Sequence, residues 1–560
     1  MKKRVLAIMY AVAAAAVLAG CSGSAKDAAA TKTPEVVEDK DLDYEYGAGV
    51  TFHSNEPVSY PMMFSDHENY PYKADWRLWS AIKEKANVTF DLTNVARTDY
   101  NDKVSALVNT GSAPYIIPKI YDASPFVDSG QVVPISDWVQ YMPNYQKCIK
   151  DWGMEEDLTN ILSSDGKYYR LPGMWEKAAG GYSFLIRKDV FEAAGVDVEN
   201  GEKNWTWEDF YDACKKVKEH TGANYVWSDQ YQLGCAMNLS GIEYGIRAGN
   251  SKDGGDWNLG DGLRFDFDKN QFIFTNATSD YKDYLKFWNK MYKDGILDPE
   301  TFTQDSEQAK AKFFRGESYV LTCNYQQVAD YEAKQRVQVD GADLYFMVMP
   351  GGPKGQLQPE SYRLENGIMI SQKALKDLGD KEFIKMLRFI DWLWYSDEGQ
   401  TLTLWGVEGE TYDKKADGAI ELKSDIYFNG INAGAPKQLN VDFGFAGGVF
   451  AYGGTESLRF SKMTDEEKAW NQRIYDSKEK RKIEPPILSN EEEKEQMNLI
   501  KVPLMDYVNT SALEFITGKL SLDSDWEKYT AECEAKGSVK YTDMANKIFE
   551  RTKDVIGFKK

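Results

Sequence analysis

The sequence predicts an α/β protein built on a largely parallel sheet, with a helix-rich C-terminal region. Three observations predict it. Short β-type runs alternate with amphipathic helical runs over the first 120 residues of the globular part. Breakers such as Gly111-Ser112-Ala113-Pro114 punctuate the junctions. The final third is dominated by long stretches of helical period.

The elements follow in order. Lys2, Lys3 and Arg4 precede an apolar stretch that closes in Val17-Leu18-Ala19-Gly20-Cys21. At about 15 residues it has the length of a signal-peptide core and is too short to span a bilayer. Its end resembles a bacterial lipobox, which implies removal of residues 1–20 and diacylation of Cys21. Residues 21–47 carry few large apolar side chains and are expected to be a disordered tether. The globular part is expected to open with the β-type run Val50-Thr51-Phe52. Trp76, Leu78, Trp79 and Ile82 share one helical face over 76–85, and a strand follows at 88–92. Tyr100, Val104, Leu107 and Val108 mark a helix over 99–109, followed by a buried strand at 115–117. Asp165-Gly166-Lys167 is a turn, residues 182–186 are a strand, and Gly195 stops a helix over 190–194. Thr206 stands before Trp207-Glu208-Asp209, a capping box with Asp at the third helical position, and this helix runs to about His220. Further helices are expected near 278–294, 305–315, 373–396, 464–482, 490–517 and 541–556.

Composition narrows the function. The 560 residues exceed a single core and suggest two or three domains. The formal charge of −21 repels nucleic acid and anionic head groups, so it excludes nucleic-acid partners and leaves lipid as the only membrane contact. Cys148, Cys214, Cys235, Cys323 and Cys533 form no CxxC and are expected as buried, unpaired thiols. His53, His67 and His220 fit no metal pattern, and no GxSxG marks a serine hydrolase. The acidic run Glu491-Glu492-Glu493-Lys494-Glu495 suits the first turn of a helix. Trp205, Trp207, Trp392 and Trp394 sit in helical patterns as core residues, and Arg187 is expected to pair with Asp189 or another carboxylate nearby.

Several segments carry a family pattern. Tyr100-Asn101-Asp102-Lys103 through Asn109-Thr110-Gly111-Ser112-Ala113-Pro114 resembles a helix and turn leading to a Gly-x-x-Pro-Asp strand. Residues 165–172 resemble a "DGKxYxLP" hairpin, and Leu185-Ile186-Arg187-Lys188-Asp189 with Thr206-Trp207-Glu208-Asp209-Phe210 resembles "LxIRKDxL…TWxEF". Phe314-Arg315-Gly316-Glu317-Ser318 resembles an "FxxGKxAM" strand entry. Residues 391–399 and 405–412 resemble "DWLYSxEGxxLxxYGxEGxxY". In this order, behind a lipobox, they make the chain similar to the family 1 extracellular solute-binding lipoproteins of bacterial ABC sugar importers, of the large oligosaccharide type.

The resemblance implies a two-lobed periplasmic-binding-protein-like (type II) α/β fold. Residues 48–172 plus 362–440 would form the N-terminal lobe, and 173–361 plus 441–560 the C-terminal lobe. It further implies a monomer without cofactor or chemistry, anchored outside the cytoplasmic membrane by the diacylglycerol on Cys21. Such a protein closes on an oligosaccharide and delivers it to the transmembrane subunits of an ABC permease. Tyr115 departs from the family's Asp, and the stretch after the "TWxEF" helix has too few oxygen ligands for calcium, so no metal is expected.

Sugars present apolar C–H faces and many hydroxyls, so aromatic rings and carboxylates are expected in loops at the C-terminal ends of strands. In related folds the corresponding loops line the cleft. That implies Asn55 and Glu56, beside His53, after the first strand; Tyr121 and Asp122 after the strand at 115–117; Trp175 and Glu176 after Leu171-Pro172; Asn324 and Tyr325 after a strand at 319–322; and Trp405 at the rim. A two-lobed protein for a peptide or lipid-like ligand, a secreted glycoside hydrolase and a surface sensor or adhesin remain alternatives. Hydrolysis needs two carboxylates at a fixed separation, which 88 Asp and Glu neither establish nor exclude.

Overall fold

The structure, a computed structural model, describes residues 42–247, 260–358, 360, 362–416, 418–450 and 452–558. Cys21 and the tether up to residue 41 lie outside the described residues. Residues 44–54 already hold paired strands, earlier than the expected start at Val50. Tyr44–Glu45 pairs antiparallel with His53–Ser54, and the Tyr44 ring stacks on Phe52 at 5.5 Å. Val50-Thr51-Phe52 is therefore not the first strand of a sheet.

The strands of the two main sheets are β1 (Val58–Asp66), β2 (Val88–Ala96), β3 (Ile116–Ile120), β4 (Leu171–Met174), β5 (Tyr182–Arg187), β6 (Val320–Asn324), β7 (Leu344–Met347) and β8 (Leu364–Ile370). The first sheet has the order β2-β1-β3-β8-β4. β1 runs parallel to β2 and β3, while β8 runs antiparallel to β3 and β4. Only β8 runs backward, as expected for a largely parallel sheet. The second sheet differs: β5 lies between β6 and β7 and is antiparallel to both. Trp227 makes a parallel bridge to Val320 and extends this sheet beyond β6.

Local sequence explains the flanking helices. α1 (Arg77–Ala86) buries Leu78, Ala81 and Ile82 and ends where Asn87 turns left-handed, at φ 56°. α2 (Tyr100–Asn109) buries Tyr100, Val104 and Val108 against Met63, Ile117 and Met369 of the first sheet. α3 (Trp207–Thr221) starts at the expected capping box: Thr206 Oγ1 accepts from Asp209 N at 3.3 Å and Asp209 Oδ2 accepts from Thr206 N at 2.8 Å.

The second sheet has a core on each face. Phe184 and Ile186 pack with Trp207, Trp227 and Trp288, and this core continues through Leu504, Phe515, Tyr529 and Phe549 of the C-terminal helices. Leu185, Leu321 and Phe346 face Trp470 and Ile474 of the helix Asp465–Ser477. Trp392 and Trp394 are buried beside the first sheet, and Trp205 packs half-buried on the larger core. Arg187 pairs with Asp189 at 2.6 Å. The five cysteines named above are buried free thiols.

Candidate functional site

Strand direction defines the site. The C-terminal ends of β1–β4 and the start of antiparallel β8 share one edge of the first sheet. That edge carries His67, Arg97, Tyr121, Trp175 and Glu365. In the second sheet Asn324 stands opposite Tyr182, so the end of β6 and the start of β5 share an edge. Residues 175–181 run directly from the first edge to the second, and 348–363 run back. Both edges therefore meet at the same crossings, the usual position of a ligand crevice in α/β folds.

On the first edge, Lys119 Nζ donates to the Tyr452 hydroxyl at 2.5 Å. Gly448 allows this approach: a Cβ there would stand 2.6 Å from Lys119 Nζ and 2.8 Å from that hydroxyl. His67 and Tyr70 stack at 4.3 Å. Burial pushes the Lys119 ammonium down to about 8; Arg97 adds to this and Glu365 opposes it.

At the crossing, Trp175 is only 5% exposed and its Nε1 is buried without an acceptor. The Arg459 guanidinium lies 4.6 Å and the Lys462 ammonium 4.9 Å from its ring centroid. Burial, with Arg459 beside it, lowers Lys462 to about 8, and burial raises Glu467 to about 7. On the second edge, the Glu360 carboxylate accepts from Gly181 N and Tyr182 N.

The structure distributes the sequence-predicted residues unevenly. Tyr121, 62% exposed, stands directly after β3, and Trp175 follows β4. Asp122 is beside Tyr121 but accepts from Ser124 N at 2.9 Å and Ser124 Oγ at 2.8 Å, closing a local turn. Glu176 accepts from Glu456 N at 2.8 Å, at the start of the helix Glu456–Ser461. Asn324 accepts from Gln326 N at 2.9 Å. Tyr325 is 9% exposed, stacked on Trp470 at 5.6 Å, with its hydroxyl 3.1 Å from Thr464 Oγ1.

Two expectations are corrected. Asn55 and Glu56 precede β1 and lie at the opposite edge of the sheet, where Asn55 N donates to Asp43 O at 2.8 Å. The loop after the first sheet strand starts at His67. Trp405 is 1% exposed and donates Nε1 to Ser461 Oγ at 2.8 Å, so it belongs to the core. Sequence reasoning missed Lys119, Glu360, Glu365, Tyr452, Arg459, Lys462 and Glu467, which stand in no motif.

Residues 78–388 match the model of the bacterial extracellular solute-binding proteins. The chain belongs to that family. This solute-binding protein is thus a capture component of transport rather than a catalyst. It is 21% identical over 536 residues to the fructooligosaccharide ABC transporter substrate-binding protein FusA of Streptococcus pneumoniae, covering 90% of this chain and 92% of FusA. It is 22% identical over 342 residues to Lipoprotein LipO of Bacillus subtilis, covering 60% of this chain and 64% of LipO, so the match spans just under two thirds of that relative. An extracellular solute-binding protein from Bifidobacterium longum subsp. infantis has the same two-lobed fold, with TM-score 0.64 and 14% identity over 90% of this chain and 98% of that one. Among the described residues no helix is long and apolar enough to cross a membrane, and no group of three His, Cys, Asp or Glu could hold a metal.

Proposed function

We propose that this protein is the substrate-binding component of an ABC importer that captures an oligosaccharide between its lobes. The lobes are 48–172 plus 362–440 and 173–361 plus 441–560, with Val441, Phe443, Val449 and Tyr452 lying against the first lobe, and closure on the sugar presents the loaded form to the permease as a monomer. Lipid on Cys21 holds it at the outer face of the cytoplasmic membrane. One observation carries the reading: two sheet edges meet at the crossings 175–181 and 348–363, lined by Tyr70, Tyr121, Tyr452 and paired polar groups. FusA, a fructooligosaccharide-binding relative along most of its length, supports the sugar class.

Calorimetry against a panel of oligosaccharides tests the reading. Saturable binding without release of reducing ends is the expected result; release over hours would replace it with glycoside hydrolysis, and binding of peptides or lipids alone would replace the ligand class. Trp175→Ala is expected to weaken sugar binding by about 1–3 kcal/mol. Cys21→Ser is expected to move the protein from the membrane fraction to the medium; retention on membranes would remove the lipid anchor.

A further inference from the structure

We infer that the oligosaccharide held in this crevice is anionic, and that its carboxylate or sulfate group seats against Arg459 and Lys462. The inference rests on the oligosaccharide reading above and narrows it.

Charge placement carries it. The chain has 88 acidic against 67 basic residues, and exposed cations around the crevice find carboxylates: Arg97 pairs with Glu68 at 3.1 Å and Lys177 with Glu456 at 2.7 Å. Arg459, Lys462 and Lys119 do not. Among the described residues none of the three has a carboxylate within ion-pair distance; Arg459 donates to the Lys177 carbonyl at 3.0 Å and Lys119 to the Tyr452 hydroxyl. Two like charges share one indole ring, at 4.6 and 4.9 Å, and each stays partly exposed.

The surrounding carboxylates act on them from a distance without forming an ion pair. Glu360 is committed to the N–H groups of Gly181 and Tyr182. Glu467 is held up to about 7 by burial, so at neutral pH it carries only part of a charge. Glu365 acts on Lys119, Arg459 and Lys462 together, while Glu360 reaches only Arg459 and Glu467 reaches Arg459 and Lys462, and among the described residues none of the three carboxylates stands within ion-pair distance of these cations. Tyr475 also faces Arg459. A neutral sugar closing over this place would remove water from two cations and return no charge. An anionic group would pair with both.

Trp175 changes role accordingly. Its ring is 5% exposed and lies against both cations, so it positions Arg459 and Lys462 instead of stacking on a sugar.

The test is calorimetry on the full mature chain with tetragalacturonate, tetramannuronate, a sulfated galactan tetrasaccharide, neutral galactotetraose and the fructan nystose. Wild type, Lys462→Met, Arg459→Gln and Lys462→Arg are compared. An anionic sugar is expected to bind at least about tenfold tighter than any neutral one. Lys462→Met and Arg459→Gln should each remove about tenfold or more of that affinity, while Lys462→Arg keeps most of it. The uronates against the sulfated sugar distinguish the two anion types. Preference for a neutral sugar, equal binding of both kinds, or anionic binding untouched by both variants overturns the inference and leaves the importer reading standing. Absence of binding to every saccharide overturns both.

Discussion

Asp391 accepts hydrogen bonds from Asn144 N at 2.9 Å, Tyr145 N at 2.8 Å and Asn144 Nδ2 at 2.8 Å, and so caps the helix Pro143–Trp152 from a neighbouring helix. Burial outweighs those bonds and raises its carboxyl to about 6. A folded pKa above the unfolded one means the native state binds more protons in that window. The contribution of Asp391 is therefore fully present below pH ~4 and is lost as pH rises through about 6. Relative to Asp391→Asn, wild type should lose up to about 3 kcal/mol of urea-unfolding free energy between pH 4 and pH 7. A difference that does not change with pH would refute this. Of the candidate site residues, Tyr121 and Trp175 were legible as strand-end positions because each directly follows a strand whose apolar run ends at a polar break. Lys119, Arg459 and Lys462 were not, since a lysine or arginine in sequence looks alike whether a carboxylate is near it or far. Trp405 misled for the complementary reason: a Trp before Gly reads equally as a rim or as a core residue, and only its 1% exposure decides.

The elements were more legible than the site, wherever a local cause fixes them. The helix α3 has such a cause in its reciprocal Thr206–Asp209 cap. Thr206→Ala is expected to cost about 1 kcal/mol in chemical denaturation, with Thr206→Ser restoring most of it; an unchanged midpoint for the alanine variant would show that packing of Trp207 and Phe210 alone sets the helix start. β1 is absent from the sequence reading, and it holds Pro61 opposite Asp91 of β2, a residue unusual in an inner strand. The β-type run at residues 50–52 stood in its place and carried Asn55 and Glu56 to the wrong edge. The expected helix over 373–396 is broken at Gly379, at φ 68° and ψ 169°, which helical periodicity does not register. The antiparallel second sheet was hidden for another reason: pairing direction depends on long connections, and the runs themselves read alike in either direction.

At the scale of the whole molecule, the C-terminal helices Glu491–Thr517, Trp526–Ala535 and Ser538–Thr552 are part of the second sheet's core and not an appendage. Polar bonds tie them to it as well. Asn546 Oδ1 accepts from Phe272 N at 2.7 Å and its Nδ2 donates to Phe272 O at 2.9 Å. Asn289 Nδ2 donates to Phe515 O at 2.8 Å and to Ile516 O at 3.0 Å, and the Tyr529 hydroxyl donates to Asn276 O at 2.8 Å. A chain ending at residue 489 would strip Phe515, Tyr529 and Phe549 from Trp288, Phe265 and Tyr281 at once. Deleting one buried aromatic side chain costs about 3–5 kcal/mol, whereas a whole domain is stable by about 5–15 kcal/mol. Losing three such rings, about 9–15 kcal/mol before the asparagine ties are added, is as large as that margin. The truncated protein is therefore expected to lose its near-ultraviolet circular dichroism and its cooperative melting transition, and with them the proposed sugar binding, since β5 and β6 shape one edge of the candidate crevice. A sharp transition within a few degrees of the full chain, with saccharide still bound, would show instead that the second sheet holds its core without these helices.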